Sequence, residues 1–212
     1  GKIAGYIQYC RSRGIPVLPP DVNRSGWKFT VDRDQKGKPG IRFGMGAVKN
    51  VGYGAVEAIV QARASQPYRD LFDFAERVPA EAINKRVVES LIKAGAFDAG
   101  QYNRAQLMSV YERVMDQAAQ KRKNNLAGQV SLFDMMAPGS KPAHIDVPDM
   151  PEHPRKALLN MEKEMTGVYI SGHPLDEVAD LLQSGFTSVL DVQNMTENEN
   201  HGLDHDGDPA VM

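Results

Sequence analysis

The sequence predicts a mainly α-helical protein with one small β-hairpin, organised as a tandem helix-hairpin-helix domain with a C-terminal helical extension. Three observations carry that expectation. Apolar residues recur at helical spacing in several segments, and strand-like alternation is confined to a short stretch before residue 44. Two of the helical segments also follow glycine-containing connectors about 40 residues apart. At 212 residues, 42% hydrophobic and 25% charged, the chain can bury a genuine core as one medium domain with smaller attachments. No apolar run approaches the roughly 20 residues of a membrane span, and no secretory leader opens the sequence. A cytoplasmic protein without a membrane partner is expected.

Ile3, Tyr6, Ile7 and Cys10 fall at i, i+3, i+4 and i+7, the stripe of an amphipathic helix ended by Gly14. Cys10 is the only cysteine, so it has no internal disulfide partner and is expected as a buried packing thiol. Residues 15–20 are extended and 21–26 form a turn. Trp27, Lys28, Phe29, Thr30 and Val31 alternate like a strand, and a polar loop separates them from Ile41, Arg42 and Phe43, the second arm of the hairpin.

Lys49, Asn50, Val51, Gly52, Tyr53 and Gly54 then make a tight bend ahead of a helix carried by Val56, Ile59 and Val60 and closed by Pro67. Two glycines one residue apart allow backbone angles that a side chain would forbid and let the main chain approach a ligand. Gly54 opens the helix, and the free N–H groups of a first turn, with the positive end of the dipole, hold an anionic oxygen without reading a base. The predicted ligand is double-stranded nucleic acid. A glycine pair before an amphipathic helix also serves as a plain tight turn, and the bend alone does not separate the two.

A degenerate second copy follows. Residues 84–93 form a helix buried through Val87, Val88, Leu91 and Ile92, Ala94-Gly95-Ala96-Phe97 is a connector, and a long helix starts near Asn103. Leu107, Val110, Tyr111, Val114 and Met115 give it a core stripe. Two such units pack as a pseudo-symmetric pair that grips both strands across a groove. Lys85, Arg86, Lys93, Gly95, Gln101 and Arg104 are the second unit's expected contacts, against the simpler role of keeping helices soluble.

Net charge is −2, but it is unevenly placed. Residues 1–41 carry eight basic against three acidic side chains and 42–123 thirteen against nine; 124–189 carry four against nine and 190–212 none against six. A basic front suits a polyanion, because neutralised phosphates release counterions. Ordinary surface charge produces the same division.

Beyond Lys123 the composition changes to that of a linker, with four prolines in residues 136–151. Within it stand Gln129, Val130, Ser131, Leu132 and Phe133. A glutamine followed by two apolar anchors in a polar stretch has the form of a linear peptide ligand, with Leu132 and Phe133 supplying buried area and Gln129 an amide hydrogen bond. The same residues could tack the linker onto its own domain.

Several segments resemble the bacterial replicative DNA polymerase III alpha-subunit family. They are Gly14-Ile15-Pro16-Val17-Leu18-Pro19-Pro20-Asp21-Val22-Asn23, Ile41-Arg42-Phe43-Gly44, Lys49-Asn50-Val51-Gly52 and Asn84-Lys85-Arg86-Val87. Leu91-Ile92-Lys93-Ala94-Gly95-Ala96-Phe97-Asp98, Asn103-Arg104 and Ser171-Gly172-His173-Pro174-Leu175 complete the set. The resemblance covers nearly the whole chain. It implies the end of the fingers in residues 1–44, the tandem helix-hairpin-helix domain in 45–123, a linker in 124–152, helix in 153–190 and an acidic link to an oligonucleotide-binding domain in 191–212. It further implies that the bend at Gly52 and Gly54 holds the emerging duplex, and that Gln129 to Phe133 is the internal peptide for the beta sliding clamp. Other replicase subunits are implied partners.

The family's palm, with its carboxylates and magnesium, would lie before Gly1, so no catalytic residue and no cofactor is expected within these residues. The whole protein would be a DNA-directed DNA polymerase. Asp204, Asp206 and Asp208 with His201 and His205 resemble a metal loop, but they lack the later glutamate of a calcium site. His173 has no visible carboxylate partner and is expected to cap a helix from Leu175, with Val178, Leu181 and Leu182 inward. A free-standing helix-hairpin-helix module of a repair or recombination protein is the alternative, and a nuclease using the acidic tail is the other.

Overall fold

The computed structural model describes residues 2–126 and 145–174. Helix α1 (Lys2–Ser12) ends as expected at Gly14, whose φ of +66° lets the Gly14 and Ile15 N–H groups return to the Arg11 and Cys10 carbonyls at 2.9 and 2.8 Å. Of its predicted stripe only Ile7 is buried. Tyr6 is 69% exposed and Cys10 is half-buried, so the expectation of a buried thiol is corrected. The reason is the narrow cover: Ile7 shares a small cluster with Phe43, Val168 and Ile170, too few side chains to enclose a whole helical face.

Three strands follow in the order β1-β3-β2. Strands β2 (Thr30–Arg33) and β3 (Pro39–Arg42) form the expected hairpin, with Val31 opposite Ile41. Its turn is held by Asp34, whose Oδ1 accepts from the Lys36 and Lys38 amides at 2.9 and 2.8 Å, and by Gly37 at φ +79°. β2 starts three residues later than the alternation suggests, because the Trp27 carbonyl is engaged by the Gly46 amide at 3.2 Å instead of a strand partner. Strand β1 (Val17–Leu18) adds in parallel to β3, a pairing that two residues cannot signal by periodicity. Gly40 permits it, since a Cβ there would lie 2.6 Å from the Pro16 carbonyl oxygen.

A short 3-10 turn (Met45–Ala47) leads into the helical body: α2 (Tyr53–Ala62), α3 (Leu71–Arg77), α4 (Lys85–Lys93), α5 (Arg104–Leu126) and α6 (Arg155–Thr166). Met45, Ile59, Leu71, Phe74, Val88, Leu91 and Ile92 are at most 1% exposed and belong to one core. The stripes predicted for α4 and α5 are all buried. Both helices are capped by asparagine. Asn84 Oδ1 accepts from the Val87 amide at 2.9 Å, and Asn103 and Gln106 exchange side-chain and backbone bonds at 2.8 and 3.0 Å. Helix α3 has no counterpart in the sequence reading, being too short for a period to show. Asp70 caps it through the Asp73 amide at 2.8 Å, and Leu71, Phe74 and Ala75 are buried. The peptide at residues 129–133, the helix expected from Leu175 and the acidic residues from His201 onward lie outside the described residues.

Candidate nucleic-acid interface

Val48 and Val51 are 3% and 6% exposed and anchor the first hairpin from inside, leaving Lys49, Asn50, Gly52, Tyr53 and Gly54 at the surface. Val51 is therefore an anchor whose side chain faces the core, not a contact. The Lys49 amide donates to the Met165 carbonyl at 2.8 Å, which fixes the hairpin to the end of α6. The left-handed conformation falls on Asn50, at φ +64°, a residue that tolerates it. Asn50 Nδ2 also donates to Ser90 Oγ at 2.9 Å.

Gly52 corrects the expectation that its angles require glycine. Its φ of −83° and ψ of 165° are open to any residue. A Cβ at Gly52 or Gly54 would meet no atom within 4 Å. Neither conformation nor packing within the chain explains these glycines. What they provide is a main chain with nothing in front of it. Gly52 is the N-cap of α2 and no side chain caps that helix, so the first-turn amides at exposed Tyr53 and Gly54 keep their donor capacity at the positive end of the helix.

The second hairpin is built differently. Gly95 is buried, at φ +86°, and a Cβ there would lie 2.4 Å from Arg104 Nη2 and 2.8 Å from Asp98 Oδ2. The amides of Ala94, Gly95 and Ala96 return to the Ser90, Ile92 and Leu91 carbonyls at 3.0, 2.9 and 2.9 Å. Gly95 is thus removed from the expected contacts because its loop is already satisfied within the protein. Arg104 is removed for the same reason. It is 4% exposed, and its guanidinium is held by Asp98 at 2.6 and 2.9 Å, by Glu162 Oε1 at 3.1 Å and by the Lys93 carbonyl at 3.1 Å. Burial lowers the Arg104 pKa, but the two carboxylates outweigh burial and hold it above its ordinary value.

Glu162 completes this knot. Wholly buried, it accepts from Ser171 Oγ at 2.8 Å and from the Ile170 and Ser171 amides at 3.0 Å each. The sequence reading does not single it out, although a glutamate three residues after Leu159 and three before Met165 stands on an inward stripe.

The remaining basic candidates divide by their partners. Lys85 Nζ lies 2.9 Å from Asp116, and Lys93 Nζ lies 2.8 Å from Glu89. Lys49 and Arg86 are exposed and enter no ion pair among the described residues. Gln101 is also exposed. No helix is long and apolar enough to cross a membrane, and no group of three or more His, Cys, Asp or Glu side chains is placed to hold a metal ion, among the described residues.

Paired helices around one exposed and one internal hairpin define a helix-hairpin-helix protein, and the helix-hairpin-helix motif family matches residues 14–107. The chain is 37% identical over 177 residues to DNA polymerase III subunit alpha of Vibrio cholerae, covering 83% of this chain and 15% of that protein. It is 43% identical over 175 residues to the Thermus aquaticus protein of the same name, covering 82% and 13%, and 42% identical over 195 residues to that of Mycobacterium tuberculosis, covering 89% and 16%. The chain belongs to the DNA polymerase III alpha-subunit family, and it spans only 13 to 16% of the length of these relatives.

Proposed function

We propose that this stretch of a cytoplasmic replicative DNA polymerase grips the duplex backbone without reading its sequence and tethers the enzyme to the sliding clamp. The observation that carries the first part is the bare end of α2. Gly52 and Gly54 keep side chains away from uncapped amides, and Lys49, which enters no ion pair among the described residues, stands beside them in the chain. Phosphate oxygens suit such donors, and base edges are not needed. Nucleotidyl transfer with magnesium, and contacts with other replicase subunits, belong to the whole protein in this reading.

Clamp tethering rests on the pattern of Gln129 to Phe133, glutamine first and Leu-Phe last, within linker composition. A pentapeptide buries little area and binds weakly alone. Tethered to the same DNA as the ring it docks on, it gains effective concentration, and processivity follows from that gain.

Fluorescence anisotropy with a blunt duplex tests the grip. Wild-type affinity is expected to fall steeply with salt and to be indifferent to sequence. Gly52→Val, which the open space accommodates, is expected to weaken binding about tenfold by blocking approach to the amides. Unchanged affinity in a folded Gly52→Val protein removes the hairpin as the contact. A sliding-clamp pull-down comparing wild type with Gln129→Ala plus Phe133→Ala tests the tether, and equal retention removes this peptide as the clamp contact.

A further inference from the structure

Trp27 is the only tryptophan of the chain. It meets Tyr53 edge to face, with ring centroids 5.4 Å apart and planes at 70°. The indole also rests directly on main chain, since a Cβ at Gly46 would lie 2.4 Å from its ring. The Trp27 carbonyl accepts from the Gly46 amide at 3.2 Å, which fixes the backbone beneath the ring. Despite this support Trp27 is 37% exposed and Tyr53 61%.

Burial of aromatic rings is a main source of stability, so two rings in contact with each other and with water are costly to leave uncovered. Their position gives the reason. Tyr53 stands between Gly52 and Gly54, the residues whose Cβ positions open onto empty space. Lys28 and Lys49, both exposed, are close to the two rings in the chain. A held aromatic surface thus continues directly from the anion-holding amides. A paired duplex keeps its base faces stacked on one another, whereas an unpaired base has a free π-face and stacks on an aromatic side chain whatever its identity.

We propose that the Trp27–Tyr53 pair is a stacking platform for an unpaired nucleobase, so that this hairpin binds a duplex with a single-stranded extension more tightly than the fully paired duplex it also grips. The inference rests on the reading of the hairpin as a backbone grip. It adds a ligand class, the unpaired base, to the phosphates that the amides would hold.

The full chain is titrated with three DNAs: a blunt duplex, the same duplex with a base-bearing single-stranded extension, and one whose extension is abasic. The last two carry equal charge, so their ratio isolates stacking. The base-bearing extension is expected to bind about tenfold tighter than the abasic one and to quench the emission of Trp27 more strongly. Tyr53→Ala, an exposed position, is expected to bring the affinity ratio to about one. Trp27→Leu, confirmed as folded by circular dichroism and followed with labelled DNA, is expected to do the same. Equal affinity and quenching for the two extensions, or a ratio unchanged in Tyr53→Ala, overturns the platform while blunt-duplex binding leaves the grip standing. Failure to bind any of the three overturns both.

Discussion

Asn50 of the first hairpin donates to Ser90 Oγ of α4 at 2.9 Å, and Ser90 donates in turn to the Arg86 carbonyl at 2.8 Å. The second helical unit therefore serves as a support for the first. With Gly95 and Arg104 enclosed, the expected pseudo-symmetric pair becomes one outward hairpin braced by an inward one.

Ser90 is 1% exposed, so Ser90→Ala leaves the Asn50 amide without its partner and releases a residue held at φ +64°. A loss of about 1 kcal/mol in unfolding free energy is expected from denaturant titration. Duplex affinity is expected to fall with it, although Ser90 itself is inaccessible to DNA.

Arg104→Met separates a structural from a binding role. It strands the wholly buried Glu162 carboxylate and is expected to cost about 3 to 5 kcal/mol by urea unfolding. A solvent-facing phosphate contact would lose almost no stability on the same change. Arg104→Met combined with Glu162→Gln should recover part of the loss.

The two hairpins should respond oppositely to one added methyl group. Gly95→Ala places a Cβ into the Arg104 guanidinium at positive φ and is expected to destabilise by about 1 to 3 kcal/mol. Gly54→Ala enters open space within a helix and is expected to stabilise by up to about 1 kcal/mol. Its duplex binding should nonetheless fall. Thermal unfolding and anisotropy on the two variants check both signs.

Burial raises the Asp73 pKa, but the Arg69 amide and the Arg77 guanidinium outweigh burial and hold the carboxyl below its ordinary 3.8. Lowered on folding, this group contributes stability that is complete above its unfolded pKa and is lost as pH falls through the folded one. Wild type should exceed Asp73→Asn by about 1 to 2 kcal/mol at neutral pH. That gap should stay constant down to about pH 5 and close in stronger acid. A gap that widens on acidification contradicts the assignment.

Burial stripes are legible in α4 and α5, whose predicted core residues all face inward, but not in α1, where only Ile7 of the stripe is covered, nor fully in α2, where Val60 of the expected stripe is exposed. Chain punctuation was legible too, at Gly14, Asn84 and Asn103. What escaped were features settled by tertiary contact. Strand β1 exists because Gly40 admits Pro16, and seven-residue α3 because Asp70 caps it over a hydrophobic floor. Arg104 looks like a surface cation in the sequence. Asp98, six positions before it, and Glu162, 58 positions after it, together make its burial tolerable. The first hairpin is legible in the sequence as a bend, but the left-handed angle expected of its two glycines falls on Asn50.

One carboxylate, that of Glu162, holds both Arg104 at the root of α5 and the amides of Ile170 and Ser171. The Lys49 amide meanwhile hangs from Met165 on the same helix. A shift of α6 would therefore disturb the seats of both hairpins at once.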